Sequence, residues 1–311
     1  MATSTSERPR EGAGTCLPAV SSPGTRVGVV LLLALLLLAY AGPLRNLATR
    51  WANDADYSHG FLVPFFSAYL LWHRRKMAQD RSAGGWWFGA GLIILGGLAR
   101  LAAIVLSEPL GEPVSMILCI MGIPVLLGGW AWLKWSWPSV FFLCFMVPIP
   151  GFINGIVSGP LQRIATDCST WVLQTIGVPA TAQGNVIWLT SGKIGVVEAC
   201  SGLRMLVAFG AITFAAACLV QGAMWERIVI LLSAVPIAIA SNVIRIAATG
   251  LAHEKLGAEI ADFIFHDLAG WLMMPLAVLL LAGLMYLFAV LFPSLPEGPQ
   301  FTRPSTKPSS F

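Results

Sequence analysis

Apolar runs that could cross a bilayer recur along the chain, near residues 27–44, 60–73, 87–106, 114–133, 138–150, 200–221, 227–250 and 265–292. A helix needs roughly 17 to 25 apolar residues to span the hydrocarbon core, so the sequence predicts an all-α polytopic membrane protein with about eight transmembrane helices. The runs at 60–73 and 138–150 are short, and each must tilt, recruit flanking residues or thin the bilayer locally. Only 11% of the 311 residues are charged while 57% are AVILMFWYC, against roughly 25% charged in a soluble domain. With a net charge of only +4, that balance excludes a soluble globular protein, a disordered chain and a nucleic-acid binder. The six cysteines make no disulfide framework, since Cys119, Cys144 and Cys218 fall inside apolar runs out of mutual reach.

Three segments are expected: a disordered cytoplasmic leader at 1–26, a single transmembrane domain at 27–292, and a disordered Pro/Ser/Thr-rich cytoplasmic tail at 293–311. The first apolar run lacks a strong small-x-small cleavage pattern, so a retained signal anchor is expected there. Basic residues in short loops stay in the cytoplasm. The cluster Arg74, Arg75, Lys76 and Arg81, the leader arginines, Lys134, Arg227 and the tail's Arg303 and Lys307 all fall on one side of an even number of spans. Arg45, Arg50 and Lys255 dissent. Residues 151–199 then form the longest extracytoplasmic piece. It should hold a short amphipathic helix around Asn154 to Ile176, lying along the outer interface. After it come two β-branched stretches around Ser191-Gly192, a small β-hairpin that delivers the chain to Cys200.

An ionisable group in hydrocarbon costs roughly 2.5 to 3.5 kcal/mol even on the lenient insertion scale, so the few near helix ends need a reason. They are Glu198, Cys200 and Arg204 at the start of the sixth run, Asn242 and Arg245 late in the seventh, and His266 with Asp267 at the start of the eighth. In the topology above all three groups lie at the outer face. Ser201-Gly202 can cap the helix beginning there, which places the Cys200 thiol beside unpaired N–H groups and favours thiolate. A cation such as Arg204 would lower its pKa further. The bland alternative is an inert core cysteine. Arg245 shares a helix face with Asn242 and can donate to a developing oxyanion, or it can snorkel to headgroups. His266 can take a thiol proton and return it to a leaving amine, or merely cap an interfacial helix. Asp267 lies about 100° around the helix and is not assigned as its partner. His59, His73 and His253 are weaker candidates.

No CxxC, HxxxH or HExxH spacing, no G-x-G-x-x-G and no Walker sequence is present, so no metal and no cofactor is expected. The Gly-rich stretches Gly89 to Gly97 and Gly155-x-x-x-Gly159 read as helix-packing surfaces.

Val196-Val-Glu-Ala-Cys200-Ser-Gly-Leu-Arg204, Asn242-Val-Ile-Arg245, and His266 followed by Gly270-Trp271 resemble the exosortase and archaeosortase family of multi-pass Cys transpeptidases. Asp56-Tyr-Ser-His59-Gly-Phe-Leu-Val-Pro64 with Tyr69-Leu-Leu-Trp72 looks like the outer loop and second span of the bacterial exosortase branch. The resemblance runs from about Trp51 to Phe292 and maps the catalytic Cys, Arg and His onto Cys200, Arg245 and His266, with Glu198, Ser201, Arg204 and Asn242 as supporting or substrate-binding groups. It implies a cysteine protease of the bacterial inner membrane, with both termini cytoplasmic and its active site extracytoplasmic. Its partners would be secreted proteins with a C-terminal sorting signal of the PEP-CTERM-like type: a short motif, an apolar helix and a basic end. Cleavage would pass through a thioester, with transfer to a surface glycan or lipid acceptor or to water. Some family members carry a further C-terminal domain associated with exopolysaccharide export, and here that activity is expected from another polypeptide. The rival reading is a polysaccharide-export or transporter-type component, which predicts internal repeats and broken helices at the midplane. No convincing repeat is found.

Overall fold

The computed structural model describes residues 23–79, 84–108, 110–196, 202–220, 222–257 and 269–291. Side chains are described for all of these except 23–26, 55–56, 78–79, 151–154, 202–205 and 269–274. The leader, the tail, Glu198, Cys200, Ser201, His266 and Asp267 lie outside the described residues. The chain is mostly helical and divides after Gly151 into two compact units.

The first unit carries α1 (Pro23–Ala39), α2 (Ala41–Asn53), a 3-10 segment Ala55–Phe61, α3 (Leu62–His73), a second 3-10 segment Arg75–Gln79, α4 (Trp86–Val105), α5 (Gly111–Phe142) and a third 3-10 segment Leu143–Met146. Helices α1 and α2 meet at a 66° bend. Tyr40 sits in that bend, its hydroxyl 3.0 Å from Ser115 Oγ, with the Arg100 guanidinium 4.4 Å above its ring. Helices α4 and α5 make the closest packing. A Cβ on Gly89 would overlap the backbone of Leu126, one on Gly96 would meet Cys119 and Ser115, and one on Gly122 would meet Ile93 and the Gly89 carbonyl. Gly89, Gly96 and Ala103 recur every seven residues and are the buried positions of α4, so one small-residue seam lets the two backbones approach.

The two spans expected at 114–133 and 138–150 are instead one helical run, broken at Gly129 (φ 64°, ψ −152°), a conformation open essentially only to glycine. The sequence suggested a boundary near Pro138, but that proline is accommodated. It has no N–H to give the Lys134 carbonyl, and Arg74 Nη2 donates there at 2.9 Å instead. Where the helix tightens into the 3-10 turn, the Leu143 N–H turns to Val140 and Phe141, and Ser67 Oγ donates to the Ser139 carbonyl at 2.7 Å. Pro148 and Pro150 likewise offer no donors to the end of the run. Trp51 Nε1 donates to the Met146 carbonyl at 3.0 Å and His59 Nε2 to that of Phe145 at 3.1 Å. His59 is thus a structural clamp, and Gly60 is the residue against which the Trp51 ring lies.

The second unit carries α6 (Gly151–Thr175), where a helix was expected, followed by β1 (Ala180–Gln183), β2 (Val186–Leu189) and β3 (Gly192–Gly195) in an antiparallel sheet of order β1-β2-β3. The expected hairpin is therefore its second half. The missed strand, Ala-Thr-Ala-Gln, has weak β propensity and is recruited by a turn at Gly184, whose φ of 62° suits glycine. Helices α7 (Gly202–Leu219), α8 (Met224–Leu232), α9 (Ala234–Leu256) and α10 (Ala269–Leu291) follow. The Gly155-x-x-x-Gly159 surface does not pack: both glycines are exposed, and a Cβ at either meets nothing within 4 Å. The helix is rotated to bury Ala165, Thr166, Ser169, Thr170 and Leu173 instead.

Among the described residues three helical segments are long and apolar enough to cross a membrane, Trp86–Val105, Gly111–Met146 and Met224–Leu256, or four if the bent α1–α2 pair is one span. The apolar parts Leu206–Leu219 and Pro275–Leu291 are shorter. Helix α3, at 12 residues, is about 18 Å long at 1.5 Å per residue, well short of a ~30 Å core.

The seam and the clamp each make a prediction. Gly89→Ala should destabilise the purified protein by about 1–3 kcal/mol, because backbone cannot yield as a side chain can, whereas Gly91→Ala, facing open space, should cost under about 0.5 kcal/mol; unfolding in mixed micelles compares them. Burial holds the His59 imidazole below its ordinary 6.5, so its contribution to stability is present above pH 6.5 and is lost as pH falls toward the lowered folded value. That acid-side loss should be absent in His59→Gln when stability is followed by pH titration.

Candidate active site

Helix α9 carries the described part of the site. Its first half, at Ile237 and Ala238, packs with Phe209 of α7, Ile230 of α8 and Ala277 and Leu281 of α10. Its second half, at Ile246 and Ala247, packs with Ala165 and Leu173 of α6 and with Ile187, Leu189, Ile194 and Val196 of the sheet. Between the two cores the helix presents Ser241, Asn242 and Arg245. Asn242 is buried and accepts from Arg245 Nη2 at 3.4 Å. A guanidinium has five N–H donors, so this single long bond orients Arg245 without saturating it. The Arg245 carbonyl accepts from Thr249 Oγ1 at 2.9 Å, and Ser169 Oγ of α6 reaches the Val243 carbonyl at 3.5 Å. Gly250 meets the Leu173 side chain, which is how α6 comes close.

The sheet is bound to the same helix. Val196, which has no exposed surface, follows β3 and shares a core with Ile246, the residue after Arg245. At the turn, the Ser191 N–H donates to Glu254 Oε2 of α9 at 3.3 Å. The chain therefore leaves β3 beside the Arg245 helix four residues before Cys200, and α7 begins at Gly202. Of the sequence-predicted residues, Arg245 and Asn242 are brought together. Arg204 falls in the first turn of α7, its side chain outside the described set. Glu198, Cys200, Ser201 and His266 fall outside the described residues altogether. His73 stacks on Tyr69 at 5.9 Å and His253 lies in the last turn of α9.

One residue escaped the sequence reading. Ser241 is fully buried one turn before Arg245, and its Oγ has no partner among the described residues. A serine in an apolar helix ordinarily bonds the carbonyl four residues back, as Thr249 does here, and nothing in the sequence separates the two cases. Among the described residues no group of three or more His, Cys, Asp or Glu is arranged to hold a metal.

The arrangement holds a cationic donor, Arg245, on a helix fixed in two cores, next in sequence to the residue that packs with Val196. The family described as Transmembrane exosortase (Exosortase_EpsH) matches residues 51–283 of the chain. No curated protein and no solved structure matches it.

An unpartnered buried hydroxyl costs about 1–3 kcal/mol. Ser241→Ala should therefore leave folding stability unchanged or raise it by about 1 kcal/mol; denaturation that shows a clear loss would mean that the hydroxyl has a partner.

Proposed function

The chain belongs to the transmembrane exosortase family, and on that premise we propose that it is a membrane-embedded cysteine protease and transpeptidase with Cys200 as nucleophile, Arg245 as oxyanion donor and His266 as general acid and base. The observation that carries the reading is the core shared by Val196 and Ile246, which ties the strand leading to Cys200 to the helix turn that bears Arg245. In the proposed reaction the His266 imidazole takes the thiol proton as the Cys200 sulfur attacks the scissile carbonyl carbon. The Arg245 guanidinium donates to the oxyanion. Collapse of the tetrahedral species breaks the C–N bond, His266 returns the proton to the leaving amine, and a thioester remains. An acceptor nucleophile, or water, then attacks that carbonyl and releases the thiolate.

The substrate class follows from the family: secreted proteins that end in a short motif, an apolar helix and a basic tip, passed to a surface glycan or lipid. Supporting roles fall to Glu198, Ser201, Arg204 and Asn242. The basic clusters at Arg74 to Lys76 and Arg227 support a cytoplasmic placement of those loops and of both termini, with the site on the opposite face of the bacterial inner membrane.

A secreted reporter carrying such a tail from a protein of the same genome tests it. Cys200→Ala should leave the reporter uncut, and Arg245→Lys should slow cleavage by about 10²–10³, because an ammonium keeps the charge but loses the planar fork. Processing at the parental rate by Cys200→Ala, followed on immunoblots, would falsify the nucleophile.

A further inference from the structure

Among the described residues the sheet has one closed edge and one open edge. On the β1 side Gln174 Nε2 of α6 donates to the Ala180 carbonyl at 2.9 Å, so that edge is capped by a side chain. On the β3 side no strand follows among the described residues. The register pairs Leu189 with Gly192, Trp188 with Lys193, Ile187 with Ile194 and Val186 with Gly195, and the Val196 N–H donates to the Asn185 carbonyl at 2.8 Å. Bonded and non-bonded pairs alternate in an antiparallel ladder. Gly192, Ile194 and Val196 therefore turn their backbone groups toward β2, and Lys193 and Gly195 turn theirs outward. Lys193 is exposed and Gly195 has no side chain.

Resting on the protease reading above, we propose that the extended segment of the client protein just ahead of its scissile bond adds to β3 as a fourth strand, bonded to the outward N–H and C=O groups of Lys193 and Gly195. Three features choose that occupant. The edge is continuous with the chain that carries the nucleophile: Val196 to Cys200 spans at most about 14 Å at ~3.3–3.6 Å per residue, so one extended peptide can pair with β3 and present a carbonyl to Cys200. The edge offers backbone donors and acceptors rather than apolar surface, which suits an extended peptide and not the client's apolar helix. The exposed Lys193 ammonium opposes pairing with a second copy, as lysine commonly does on sheet edges.

The test uses the full-length chain in its membrane with the tailed reporter described above. Lys193→Pro removes only an outward N–H and should slow cleavage about tenfold, the scale of one lost hydrogen bond, while Lys193→Ala, which keeps that N–H, should stay within about threefold of the parent. Cleavage by Lys193→Pro at the parental rate overturns the proposal. Should the proline variant fail to fold, seen as loss of protein from the membrane, a second measurement decides. In a Cys200→Ala chain that also carries Lys193→Cys, cysteines placed one at a time along the reporter tail are oxidised with diamide. Strand addition predicts disulfides to Lys193→Cys at alternate positions ahead of the scissile bond. No cross-links, cross-links without alternation, or only dimers of the enzyme itself overturn it. A reporter cut equally by the parent and by Cys200→Ala removes the protease reading and this inference with it, whereas a dead Cys200→Ala beside a fully active, folded Lys193→Pro removes this inference alone.

Discussion

Val196 and Ile194 on the strand side, and Ile246 and Ala247 on the helix side, share one buried cluster, and the rest of the candidate site depends on their registration. Fully burying a Val or Ile side chain away from water is worth roughly 1.5–3 kcal/mol. A slip of β3 by one residue would turn Ile194 outward and Lys193 inward, losing that contribution and burying a charge. The strand therefore has one setting against α9, and covalent geometry keeps Cys200, the proposed nucleophile, within about 14 Å of it.

Much of this was legible from residues alone. The apolar run containing Arg245, a helix before the sheet, the β-branched run after Ser191 and the Asn242–Arg245 spacing all follow from periodicity and propensity, and the structure has them. What was not legible depends on tertiary partners. Strand β1 is an unpromising Ala-Thr-Ala-Gln that exists because β2 pairs with it. The exposed Gly155 and Gly159 carry the same spacing as a packing motif, and only the rotation of α6 decides against it. Ser241 looks like Thr249 in sequence and differs in whether its oxygen finds a carbonyl. Helix α3 falls short of a span because the chain ahead of it, Ala55–Phe61, winds as a 3-10 segment and the α-helix ends at Arg74, as the apolar run did.

The first unit shows a different logic, in which prolines create orphan carbonyls and distant side chains satisfy them. Pro138, Pro148 and Pro150 withhold donors, and Arg74, Trp51 and His59 supply them. An unpaired buried carbonyl costs about 1–3 kcal/mol, so these three residues belong to the same constraint as the prolines, although they lie 60, 95 and 86 positions from the carbonyls they bond. The Asp56 to Pro64 segment, which carried part of the family resemblance, thus includes a fastening for the end of α5.

Helix α9 is gripped at both ends, by one set of helices around Ile237 and by the sheet and α6 around Ile246. A beam fixed at two supports cannot swivel about its own axis, so the guanidinium carried at mid-length keeps its azimuth while its tip remains free to swing. Loosening either support, even by a substitution far from Arg245, would be felt as a change in aim rather than as a change in charge.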